Sequence, residues 1–168
     1  PIAYKAREWG AKVSFSCYSD FKNGNVLHLI DPDHIDQVEQ VPAENVHHYE
    51  LISTLFSDYS YKQRFIYVPE GIKAKFQKNW VFDFPVGSAL IKTFYYPIDE
   101  RNLELGSNLL ETRVLLHKES GWEAVSYAWN EDQTEAFIKV AGKTINTSWV
   151  NKGGISTFVR YRVPNKNQ

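Results

Sequence analysis

The 168-residue sequence contains no methionine and only one cysteine, Cys17. A single thiol excludes an internal disulfide, a four-cysteine zinc site and a C-x-x-C-H haem attachment within these residues. Cys17 reads as a buried, inert side chain. With Pro1 in first place and no methionine anywhere, the expected N-terminus is a processed or truncated one. An excess of charge of either sign is missing as well. Nineteen Lys and Arg face twenty Asp and Glu, a formal net charge of −1, which gives no long-range field to gather nucleic acid or an anionic membrane. No apolar run approaches the roughly 20 residues of a membrane span, and no signal-peptide pattern is present. G-x-S-x-G, P-loop, dinucleotide and H-E-x-x-H signatures are all absent, which favours a non-catalytic chain over an enzyme.

What is present is aromatic and strand-forming. Five Trp, ten Tyr and ten Phe suit a core between sheets or an exposed stacking surface. Three runs read as adjacent strands of an antiparallel meander: 84–96, 110–117 and 121–130, with a short turn at Lys118 to Gly121. Upstream, 61–68 predicts a strand that Pro69-Glu70-Gly71 ends, and Lys73 to Gln77 predicts another. Downstream, 135–140, 144–150 and 155–163 predict strands separated by turns at Ala141-Gly142-Lys143 and Asn151-Lys152-Gly153-Gly154, the last strand closing the sheet. Residues 98–108 are polar, lack period 2 and predict an exposed loop. Near the start, 13–18 and 26–30 predict a hairpin around Asn23-Gly24. Asp31-Pro32 opens a short helix that Pro42 stops. The expected fold is all-β: one domain over 1–168 with an antiparallel β-sandwich, jelly-roll-like or an open barrel, and one short N-terminal helix.

Several clusters are candidate sites. Period 2 places Leu90, Lys92 and Phe94 on one face of a strand, and Glu111, Arg113, Leu115 and His117 on one face of the next. If those faces coincide, Lys92, Glu111 and Arg113 form a cross-strand charge cluster in a partly buried cleft, able to hold a polar ligand. The plainer reading is a solvated outer face with weak ion pairs. His47, His48 and Glu50, with His28, Asp31, Asp33 and His34, are metal-ligand types. Adjacent strand residues point to opposite faces, however, so no metal site is expected. The oxygen-rich run 130–135 lacks EF-hand spacing and reads as a turn. Trp122, Trp129, Trp149, Tyr95, Tyr96 and Tyr127 can offer a stacking platform for sugars, with Asn130 beside it, or can fill the core. Alternation sets Tyr127 and Trp129 opposite Trp122.

One resemblance covers 49–168. Leu55-Phe56-Ser57-Asp58-Tyr59-Ser60-Tyr61-Lys62-Gln63-Arg64-Phe65-Ile66-Tyr67-Val68-Pro69-Glu70-Gly71 resembles a signature of a bacterial family of exported, dihaem c-type cytochrome-like proteins, mostly conserved hypotheticals. Phe84-Pro85-Val86-Gly87, Ile91-Lys92-Thr93-Phe94, Glu111-Thr112-Arg113, Gly121-Trp122, Tyr127-Ala128-Trp129-Asn130 and Val163-Pro164-Asn165 resemble further segments of it in the same order. Residues 1–48 lie outside the resemblance, and Ile52-Ser53-Thr54 departs from the expected Asn-Thr-Pro. The resemblance implies an exported protein, periplasmic or at the cell surface, in which this stretch is the haem-free β domain. Haem c then belongs to the parent protein, on C-x-x-C-H motifs expected just past Gln168. The implied role is an accessory module that docks a haem domain or a redox partner. A carbohydrate-binding or other ligand-binding module is the alternative reading of the residues.

Overall fold

The computed structural model describes residues 45–133, 136–138 and 141–165. The expected N-terminal hairpin, the helix after Asp31 and Cys17 lie outside these residues. Eight strands follow one another: β1 (Val46–His48), β2 (Tyr61–Tyr67), β3 (Ala89–Pro97), β4 (Ser107–Lys118), β5 (Gly121–Trp129), β6 (Ala136–Ile138), β7 (Lys143–Val150) and β8 (Ser156–Val163). Strands take 53% of the described residues and helix 3%. The chain is mostly antiparallel β, as the period-2 runs and their turns predict.

The first six strands form one sheet in sequential order, and β7 and β8 pair only with each other. The meander of β3, β4 and β5 is present with its expected turn at Lys118. Two expectations fail here. The run after Asn151 does not close the first sheet, because β7 and β8 form a separate hairpin among the described residues. Lys73 to Gln77 is not a strand; only Lys75 and Asp83 bridge each other. Pro69 and Gly71 turn the chain away from β2, and among the described residues this run pairs with nothing beyond that single bridge.

Register fixes which side chains share a face. Phe65, Ile91, Val114 and Val125 are cross-strand neighbours, and all but half-buried Val125 are buried in one apolar cluster with Leu116, Tyr127 and Trp129. On that face Thr93 and Thr112 hydrogen-bond each other at 2.8 Å, and the Trp129 indole donates to Thr112 at 3.1 Å. The opposite face carries Phe94, Tyr96, Leu110 and Ala128, which pack against Trp149, Tyr161 and Val163 of the β7–β8 hairpin. The hairpin covers only one end of that face; Lys92, Leu90 and Leu115 beyond it stay half-buried.

A bulge makes this second core possible. Phe94 pairs with Glu111 but Tyr95 pairs with Leu109, so Leu110 is an extra residue, and both Leu110 and Glu111 are then buried. The side chain of Gln133 satisfies the backbone there, accepting from Leu109 N–H at 2.5 Å and donating to Leu109 C=O at 3.2 Å and Asn130 C=O at 3.0 Å. Gln133 thus does for β4 what a strand neighbour would do.

Candidate functional site

The half-open face of the six-stranded sheet brings together the charged candidates. Arg64 pairs with Lys92 and Lys92 with Arg113, so three cations stand directly opposite one another across β2, β3 and β4. The next row holds Lys62, Phe94 and Glu111. The faces of β3 and β4 therefore coincide, as alternation allowed. The ion pair runs along β4, though, and not across strands: the Arg113 guanidinium grips Glu111 with Nε to Oε1 at 2.7 Å and Nη2 to Oε2 at 2.9 Å. Lys92 faces Arg113 as a like charge.

Glu111 is 0% exposed, and the Tyr161 hydroxyl of β8 donates to its Oε2 at 2.8 Å. Both carboxylate oxygens thus accept hydrogen bonds within the protein, one from Arg113 on Oε1 and two, from Arg113 and Tyr161, on Oε2. Burial, the principal opposing effect on Arg113, would weaken its charge, but the hydrogen bonds and charge of Glu111 outweigh it and its pKa rises. Tyr161 is pushed well above the ordinary phenol value, first by burial and then by the Glu111 charge. Lys92 is pulled below the ordinary lysine value by burial and then by Arg113, Arg64 and Lys62, with Glu111 offsetting only part. Its Nζ lies 4.8 Å from the Phe94 ring centre, and the Arg113 guanidinium carbon lies 4.6 Å from the same centre, a shared cation–π seat.

Beyond the cations, Ile66, Leu90, Leu115 and Ala124 make an apolar row. The face ends on His117 and Trp122, stacked at 4.5 Å and 10°. Trp122 is 41% exposed and meets Phe84 edge-on, from which Phe82 and Phe76 continue the aromatic chain onto the segment after β2. On that segment Phe76, Trp80, Val81 and Phe82 are all exposed, Trp80 at 81%.

The remaining site candidates separate. Trp129 is 2% exposed and Trp149 is also buried, as are Tyr96 and Tyr127, so these rings fill the two cores and form no platform with Trp122. Asn130 and Trp129 instead line a cleft of about 300 Å³ at the far end of the sheet, with Asn108, Gln133, Asn146 and Thr147 among others. His48 Nε2 lies 3.1 Å from Glu50 Oε1 while its ring sits edge-on to Phe65. Among the described residues no three His, Cys, Asp or Glu side chains gather as metal ligands, and no helix is long and apolar enough to cross a membrane. Sequence reasoning missed Arg64 and Tyr161. Arg64 shares the period-2 face of Lys62 and Ile66, a signal that pairing β2 with β3 would have set against Lys92; Tyr161 had none, because the docking of β8 is not local.

The loop after β3 is exposed over Arg101 to Leu105, as expected, and is tied down at its start. Asp99 accepts from Arg101 N–H at 2.9 Å, Nε at 3.0 Å and Nη2 at 2.7 Å, and Glu100 N–H donates to Val150 C=O at 2.9 Å. The hydrogen bonds from Arg101 lower the Asp99 pKa to about 2, while burial and the Asp58 charge raise that of Tyr96 to about 12. The signs differ. Asp99 is depressed, so its contribution is full above about pH 4, the ordinary Asp value, and is lost as pH falls through about 2. Tyr96 and Tyr161 are raised, so theirs is full below about pH 10 and is lost as pH climbs through about 12 for Tyr96, and later for Tyr161. Urea midpoints followed against pH should fall at both ends, and phenolate absorbance should show two tyrosines silent until the chain unfolds; early ionisation of all ten tyrosines would contradict this.

No family model, no curated protein and no solved structure matches the chain.

Proposed function

We propose that this chain is a non-catalytic β-sandwich module that docks a partner protein. The observation that carries the reading is the exposed aromatic segment after β2, where Phe76, Trp80 and Phe82 stand in solvent and run on through Phe84 to Trp122. Large contiguous apolar surface of this kind marks interaction sites, and aromatic residues supply the anchors of protein interfaces. The cytochrome-like resemblance supplies the setting: an exported electron-transfer protein, periplasmic or at the cell surface, in which haem c is carried by a separate domain or by the redox partner. One cysteine cannot give the two thioether links of a c-type haem, so the chain's own part is recognition.

The test is capture from the exported fraction of the source organism with this chain as bait, followed by staining for covalent haem. Wild type should retain a haem-bearing band. Trp80→Asp and Phe82→Asp should weaken retention by about 2 kcal/mol or more, the loss of an interface anchor, without changing the folded spectrum. No haem-bearing band, or equal capture by both variants, removes the docking reading.

A carbohydrate-binding module is the second reading, favoured by one observation. The cleft beside Asn130 counts four amide and two threonine residues in its lining, along with Glu131, Lys143 and three aliphatic residues, and amides and hydroxyls are groups that fix sugar hydroxyls. It ranks second because the ring within it, Trp129, is buried and presents no face for stacking. Binding to a glycan panel that Asn130→Ala abolishes would reverse the order.

A further inference from the structure

We propose that Arg64, Lys92 and Arg113 form a binding site for an oxyanion, a carboxylate, sulfate or phosphate group, on the half-open face of the six-stranded sheet. The site is separate from the aromatic docking segment and does not depend on it. Three like charges in direct cross-strand register are unfavourable in themselves, since neighbouring strands sit about 4.8 Å apart and like charges opposite one another destabilise a sheet. Among the described residues, opposite charge offsets only one of them fully, because Glu111 is consumed by Arg113 and Tyr161.

The other two cations lack a full partner. Arg64 is 4% exposed, its Nη1 lies 3.6 Å from the well-exposed Glu50 carboxylate, and its Nε is buried with no hydrogen-bond partner among the described residues. Buried donors are satisfied in nearly all native proteins, so an orphan of this kind calls for an acceptor. Lys92 lies between the two arginines in register; its ammonium sits over the Phe94 ring. Lys62, the fourth cation of the face, is already held by the Leu55 and Ser60 carbonyls at 3.0 and 3.2 Å. Half-exposed Lys92 is therefore the point of entry. An oxyanion bound to its ammonium gains charge-assisted hydrogen bonds and relieves the repulsion from both sides, while Arg64 and Arg113 supply the flanking field. The apolar row of Ile66, Leu90 and Leu115 alongside suits a ligand whose anionic group is joined to an apolar body.

Sulfate stabilises most proteins by exclusion from their surface, so the measurement is a difference between wild type and Lys92→Met, which keeps the packing of the side chain and removes the charge. Melting temperatures are recorded in sulfate, phosphate and succinate against chloride at matched ionic strength. The expected result is a rise in wild type roughly 2–4 °C larger than in Lys92→Met when the anion is several times its dissociation constant, with Lys92→Arg retaining the response. In chloride alone Lys92→Met should melt no lower than wild type, because it relieves the row. A larger response to succinate assigns a carboxylate ligand, and a larger response to sulfate and phosphate a tetrahedral one. Equal rises in wild type and Lys92→Met for every anion, or a Lys92→Met protein clearly less stable in chloride, would overturn the proposal.

Discussion

Replacing Arg113 by methionine should destabilise the fold by about 3–5 kcal/mol, the cost of breaking a buried ion pair from one side. The Glu111 carboxylate is wholly buried, and without Arg113 it retains only the Tyr161 hydroxyl. Arg113 is itself partly exposed, with 39% of its side chain accessible, so the penalty comes from the stranded carboxylate and not from loss of the guanidinium. Removing the whole polar group separates these. A Glu111→Leu, Arg113→Met, Tyr161→Phe triple variant leaves no unpaired charge and should recover most of the loss, since apolar replacement of a buried pair is often neutral or better. Urea unfolding reads both. A loss under about 1 kcal/mol in Arg113→Met would show the pair behaving as a surface one.

Gly142→Ala should cost nearly as much, for a reason that has nothing to do with charge. Gly142 has φ +76°, and a Cβ there would lie 2.6 Å from the Val163 carbonyl oxygen and 3.2 Å from both Pro164 C and Asn165 N. All three are backbone atoms, which cannot swing aside as a side chain can. Left-handed backbone costs a non-glycine residue about 1–2 kcal/mol, and overpacking adds about 1–3 kcal/mol. Gly71→Ala is the control. It has φ +75° but nothing within 4 Å of its Cβ, so it should lose only the first of these amounts. If the two variants are equally stable, the close approach of β8's end to Gly142 is not rigid.

The sequence carried the strands better than the site because strands are local and sites are not. Lys118 to Gly121 and Asn151 to Gly154 are turns readable from their own residues, and they set the β4–β5 and β7–β8 hairpins. Period 2 also placed Lys92 with Phe94 and set Trp122 opposite Trp129. Which face is interior depends on where β7 and β8 dock, and no spacing in the chain encodes that. The bulge at Leu110 was equally hidden. It is held by Gln133, a side chain 24 residues away that stands in for backbone. Lys73 to Gln77 shows the reverse error: strand-like residues without a partner edge do not make a strand.

Glu111 belongs to a strand of the meander, while the tyrosine that closes over it belongs to a hairpin that pairs only with itself. Each strand of the meander can zip onto its sequence neighbour with little loop-closure cost, before the β7–β8 hairpin has settled. The carboxylate can therefore stay hydrated until that hairpin lands, and water leaves it in the same step that delivers the Tyr161 hydroxyl. On this order of assembly the Glu111–Arg113–Tyr161 group acts as a latch: its weakening in Arg113→Met shows in the rate at which the protein comes apart and hardly at all in the rate at which it forms. A chevron in which the folding arm slowed instead would place the latch in the nucleus.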